Sequence, residues 1–180
     1  MHYDLTLANA SAWHWWTAVS HRPDSSALIH TTYNPNSDPD THYKMDGATT
    51  ILPTKTLWAF GNFSRFVRPT AQRVSITITG QGQITSLMLS NPAHDPGNSL
   101  LASAYLNQDS KAPNKLVIVL VNRGGDIRIT KDQQICNDIG MPFLAYYVTS
   151  AMDDLKYYAI KQDRGWMVPA QSVVTIVTGP

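Results

Sequence analysis

From residue 73 to residue 178 the chain is a succession of short runs rich in Val, Ile, Thr and Tyr, each closed by a turn signal. Arg73-Val74-Ser75-Ile76-Thr77-Ile78-Thr79 alternates polar and apolar residues, the period of a half-buried strand. Further strands are expected at 83–89, 100–107, 115–122, 126–131, 143–149, 156–161 and 172–178. Between them lie Gly80-Gln81-Gly82, Asp95-Pro96-Gly97, Ala112-Pro113-Asn114, Arg123-Gly124-Gly125, Gly140-Met141-Pro142 and Arg164-Gly165. These residues favour turns through positive φ, fixed φ or side-chain-to-backbone hydrogen bonds. Many short strands at such spacing pack as a sandwich or barrel. Residues 116–121 are apolar on both faces, which suits a central strand covered on both sides.

Upstream the period changes. Leu57, Phe60, Ser64 and Val67 recur at helical spacing, which predicts a helix over 55–67 ended by Pro69, with Arg65 and Arg68 in its last turn. Strands are expected at 11–19 and 27–33, and a loop at 34–47. The predicted fold is therefore mainly β, an antiparallel β-sandwich with one flanking α-helix. Length alone argues for one domain and at most a fraction of a second.

The chain contains no glutamate; all 13 acidic residues are aspartates, and the formal net charge is +1. That balance offers no field to draw a polyanion, so neither nucleic acid nor an anionic membrane is an expected partner. No apolar run approaches the roughly 18 residues of a membrane-spanning helix. The opening Met1-His2-Tyr3-Asp4 has neither the charged region nor the apolar core of a signal peptide. Cys136 stands alone, the six histidines lack metal-ligand spacing, and Asp38-Pro39-Asp40 does not fit a calcium loop. No metal or cofactor is expected. G-x-S-x-G is absent, which argues against a serine hydrolase of that type. Arg65, Arg68 and Arg73 read as helix-end capping and packing in preference to an anion site.

Two segments carry a resemblance, SAWHWW (residues 11–16) and LWAFGNFSRFVRP (residues 57–69). They are followed in order by LLASAY, KLVIVLVN, AYYVTS and VPAQSVVTIV, so the likeness extends across nearly the whole chain. Together these blocks resemble the C-terminal part of glycoside hydrolase family 30, in its fungal endo-β-1,6-galactanase-like branch. The resemblance implies that residues 1–69 hold the last strand and helix of a (β/α)8 barrel and that the remainder is its β-sandwich side domain. It implies that both catalytic glutamates belong to barrel strands preceding this segment, so no catalytic residue is assigned and the chain alone is expected to be inactive. It places Trp13 and Trp16 in the wall of the sugar pocket, with His14 beside them. A polysaccharide or oligosaccharide ligand and an extracellular location follow from the same likeness. Thr70 departs from it, standing where the family usually has glycine. Trp13 and Trp15 point to one side of an extended chain and His14 and Trp16 to the other.

Two alternatives belong to other classes. One is a free-standing, lectin-like carbohydrate-binding sandwich. The other is an interaction protein whose exposed barrel remnant pairs with a missing barrel segment or with a second copy.

Overall fold

The computed structural model describes residues 1–22, 26–31, 50–76, 100–108, 115–129, 143–160 and 166–178. The expected strand at 83–89, the loop at 34–47 with its aspartates, Cys136 and most of the turn signals lie outside these residues.

The fold is mainly β. Its centre is a six-stranded antiparallel sheet formed by β4 (Gln72–Val74), β5 (Leu100–Asn107), β6 (Lys115–Asn122), β8 (Phe143–Thr149), β9 (Lys156–Ala159) and β11 (Ser172–Thr178), in the order β4-β5-β6-β11-β8-β9. A two-stranded antiparallel sheet, β7 (Ile127–Ile129) with β10 (Trp166–Val168), lies against one face. The other face is covered by α2 (Lys55–Ser64) and α1 (His2–Thr6). Two helices therefore flank the sheet, where the sequence predicts one. The five residues of α1 span barely more than one turn, and such a short helix depends on docking rather than on propensity.

The doubly apolar run in β6 has a direct structural counterpart. Leu120, with Ile118 beside it, packs towards the small sheet in a core with Leu100, Ala102, Val148, Trp166, Val168, Val174 and Ile176. Val117 and Val119 pack towards the helices with Phe63 and Tyr105, and Met1 and Leu5 of the amino-terminal segment join this second core. β6 lies between β5 and β11, covered on both sides. Burying such side chains contributes about 1.5–3 kcal/mol each.

Two buried asparagines fasten the layers. Asn62 of α2 is fully buried; its amide donates to the Thr149 hydroxyl (2.8 Å) and to the Trp58 carbonyl (3.1 Å). The Thr175 hydroxyl donates towards both oxygens of Asn62, at 2.7 and 2.8 Å. Asn122, at the end of β6, donates to the carbonyls of Gly125 (2.8 Å) and Pro169 (2.7 Å) and accepts from the Gly124 amide (2.9 Å). It thereby ties the turn before β7 to the turn before β11, which holds the small sheet over the large one.

Residues 1–69 depart from expectation in three places. Residues 11–18 form no strand and bend at Ser11, Trp16 and Ala18; the ladder is limited to β1 (Val19–Ser20), which runs parallel to β2 (Ile29–Thr31). β2 pairs in turn with β3 (Ile51–Pro53), a strand that Pro53 hides from pattern reading. The helix stops at Ser64, so Arg65 is its cap rather than part of its last turn. Arg68 lies beyond it and donates back to the Ser64 carbonyl at 3.1 Å. Thr70 follows with φ of 72°. A β-branched residue is strained there, and glycine is not.

Candidate functional site

The site is built on the aromatic segment where it crosses the start of α2. Thr54 positions both elements. Its amide and hydroxyl each donate to the Leu28 carbonyl at 2.9 Å, and its hydroxyl accepts from the Leu57 amide at 3.3 Å, which caps α2. The Ile29 amide donates to the Ala18 carbonyl at 2.9 Å, which fixes the end of the aromatic segment beside β2.

Along residues 13–18 burial alternates between half-buried and exposed at every step. Trp13 and Trp15 take the inner side. Their rings lie 5.7 Å apart, and Trp13 also meets Phe60 of α2 at 5.3 Å. Both indole N–H groups are used: Trp13 donates to a carboxylate oxygen of Asp4 (2.9 Å), and Trp15 donates to the Ser26 carbonyl (2.7 Å). These rings serve as a platform. His14 and Trp16 take the outer side, and Trp16 is 90% exposed. A cis peptide joins Trp16 to Thr17.

Of the predicted site residues, then, Trp16 and His14 face outward while Trp13 supports them from the other side. Sequence reasoning did not assign Trp15, Asp4 or Phe60 to the site. Trp15 sits in the same aromatic run, but the partnership of Trp13 with Asp4 crosses a reversal of the chain that no spacing rule describes.

Four aspartates are among the described residues, and each has a partner. Asp4 pairs with the amino-terminal ammonium of Met1 (2.7 Å) as well as with Trp13. That ammonium, through its hydrogen bond and its charge, holds the Asp4 carboxyl below the usual carboxylate range, and the Trp13 donor acts in the same direction. Asp126 accepts from the Ala170 amide (2.7 Å), Asp153 pairs with Lys156 (3.3 Å) and Asp154 with Lys55 (2.6 Å). Among the described residues Asp4 is the carboxylate that touches the aromatic cluster, and it is ionised and engaged. Glycoside hydrolysis ordinarily needs two carboxyl groups, one of them protonated, across the scissile bond. Among the described residues no three His, Cys or Asp side chains are grouped to hold a metal ion.

The arrangement therefore offers one exposed indole on a segment whose other two indoles are anchored. An exposed indole with one N–H donor matches the flat C–H face of a pyranose ring. Val19 of β1 and Ile51 of β3 are exposed on one face of the small amino-terminal sheet, and Leu52 is exposed on the other.

No protein-family model matches the chain. Among solved structures it is similar to a conserved exported protein from Bacteroides fragilis, with 31% sequence identity and a TM-score of 0.69. That likeness covers 98% of this chain but 31% of the other, so the chain spans about a third of the length of the protein it matches.

Proposed function

We propose that this chain is the carbohydrate-facing C-terminal portion of a glycosidase architecture like that of family 30, endo-β-1,6-galactanase-like, and is non-catalytic by itself. The observation that carries this reading is the 90% exposed indole of Trp16, presented from a segment whose neighbouring indoles are anchored. An isolated surface tryptophan needs no explanation, but one carried on a segment held in place by two anchored indoles offers an accessible face to a ring-shaped ligand. Trp13 backs the surface and His14 borders it. The lack of any glutamate, with Asp4 already ionised and engaged, supports binding without bond cleavage. Similarity over 98% of this chain to about a third of an exported protein supports a piece of a larger, extracytoplasmic architecture.

The test is incubation of the purified chain with β-1,6-galactan and a panel of β-glucans, with reducing ends and binding measured together. Saturable binding without new reducing ends is the expected result. Turnover that co-purifies with the chain contradicts the reading.

The exposed Val19, Ile51 and Leu52 favour a companion reading, that the amino-terminal sheet receives further barrel segments or a second copy. Among the described residues β1 and β3 are the edges of that sheet, where a further strand could pair. Light scattering across a concentration series tests the second copy: a dimer supports it, and a monomer at all concentrations removes it.

A further inference from the structure

The reading above leaves a different surface unused. Where the C-terminal end of α2 meets the large sheet there is a groove of about 480 Å³. Its lining includes three cations from two elements, Arg65 and Arg68 just past α2 and Lys115 at the start of β6, and three rings, Phe66, Tyr147 and Tyr157. Among the described residues its lining includes no carboxylate. The four described aspartates are engaged elsewhere, with Met1 and Trp13, Ala170, Lys156 and Lys55 respectively. Among the described residues no carboxylate lies within ion-pair distance of Arg65, Arg68 or Lys115. Three cations are thus gathered in one concavity with no ion-pair partner among the described residues.

The cations are also positioned. The Arg65 guanidinium lies over Tyr147 (5.5 Å) and Phe66 (5.6 Å), a stack that fixes its plane while leaving its N–H edge available. Arg68 is tied to the Ser64 carbonyl through one nitrogen, and its backbone amide donates to Asn107 at 3.2 Å. Asn107 in turn donates to the Phe66 carbonyl at 2.7 Å, which pins this stretch against β5. Capping accounts for Arg68. It does not account for Lys115, which belongs to another element. Tyr157 is exposed and meets Tyr147 edge-on at 5.5 Å, which offers ring faces beside the cations.

We infer that this groove is a second binding site, specific for an acidic saccharide, whose sugar ring packs on Tyr147 and Tyr157 while its anionic group is held by Arg65, Arg68 and Lys115. Carboxylate and sulfate ester present the same chemistry to a guanidinium fork. The site is separate from the Trp16 surface and does not depend on it.

The experiment titrates the full chain with an oligogalacturonate, a sulfated galactan oligosaccharide and a neutral galacto-oligosaccharide of equal length, at low salt and at about 0.5 M NaCl. Wild type, Arg65→Gln/Lys115→Gln and Trp16→Ala are compared. Both substituted cations are exposed, and near-UV circular dichroism confirms an unchanged fold. The expected result is saturable binding of at least one acidic ligand, weakened about tenfold or more by the double substitution and by salt, with the salt-sensitive component retained in Trp16→Ala. Preference for the uronate or for the sulfate ester identifies the anionic group. Equal affinity for the neutral and acidic ligands, or equal affinity of wild type and the double variant, overturns the inference. Loss of neutral-ligand binding in Trp16→Ala alone concerns the other surface.

Discussion

The six-stranded sheet and the aromatic amino-terminal segment contain similar residue types but use them in opposite ways. In the sheet, β6 is buried on both faces, and Asn62 and Asn122 satisfy their hydrogen bonds inside the structure. In the segment, three tryptophans crowd into four positions; two are anchored, and the third extends into solvent. A region whose apolar surface is wholly covered is explained by stability. A region that fixes two indoles and leaves one open is explained by stability only up to the open ring.

The contrast is broken most severely by removing the Asn62 side chain. Asn62→Ala removes the amide that links the Thr149 and Thr175 hydroxyls, leaving Thr149 with the Leu155 amide alone as donor, and opens a void beneath α2. A loss of about 2–4 kcal/mol is expected, read from the denaturant midpoint. A loss below about 0.5 kcal/mol implies that water or repacking replaces the network and that the helix-covered face is less tightly specified than argued.

Acid is the next largest perturbation, and it acts on the amino-terminal region. His2 is buried, and its Nδ1 has no hydrogen-bond partner among the described residues. Burial, reinforced by the adjacent terminal ammonium, lowers its pKa to about 4 from 6.5. Because the folded pKa is depressed, the unfolded segment binds the proton first. The docking of α1 is therefore fully present above about pH 6.5 and weakens as pH falls towards 4, by up to about 3 kcal/mol. Amide exchange across α1 accelerating over that window, while β6 and β11 stay protected, is the expected pattern. His2→Phe abolishes the dependence.

A gain is expected at Thr70. Its φ of 72° suits glycine, so Thr70→Gly raises stability by about 1 kcal/mol, or about 2–4 °C in Tm, despite losing the 3.3 Å hydrogen bond to the Gln108 carbonyl. A lower Tm shows that this bond outweighs the backbone strain.

Smallest of all is the stability effect of Trp16→Ala, below about 0.5 kcal/mol, since an exposed ring buries almost nothing.

Much of the sheet was legible in the sequence because period and turn chemistry are local. The strands at 100–107, 115–122, 143–149 and 172–178 have the expected bounds, and the two-faced apolar run located the central strand. What escaped depends on partners far along the chain. β10 is three residues, Trp166–Val168, and exists through pairing with β7. α1 lacks a side-chain cap hydrogen bond and is held by the helix-side core. In the aromatic segment, alternation gave the side each ring takes but not the absence of a ladder, because a strand requires a neighbour as well as a pattern. Trp13, His14 and Trp16 stood out by composition. Asp4 and Ser26, which anchor the platform, did not, and neither did Lys115, which reaches the groove beside Arg65 only once β6 is in place.

The most direct test of the proposed carbohydrate-facing surface is a calorimetric titration of β-1,6-galacto-oligosaccharide into wild type and Trp16→Ala at matched concentration. The account predicts saturable binding by wild type and a loss of about tenfold or more in the variant, with the Tm of the two chains nearly equal. Equal binding by both chains, or no heat with either, contradicts it.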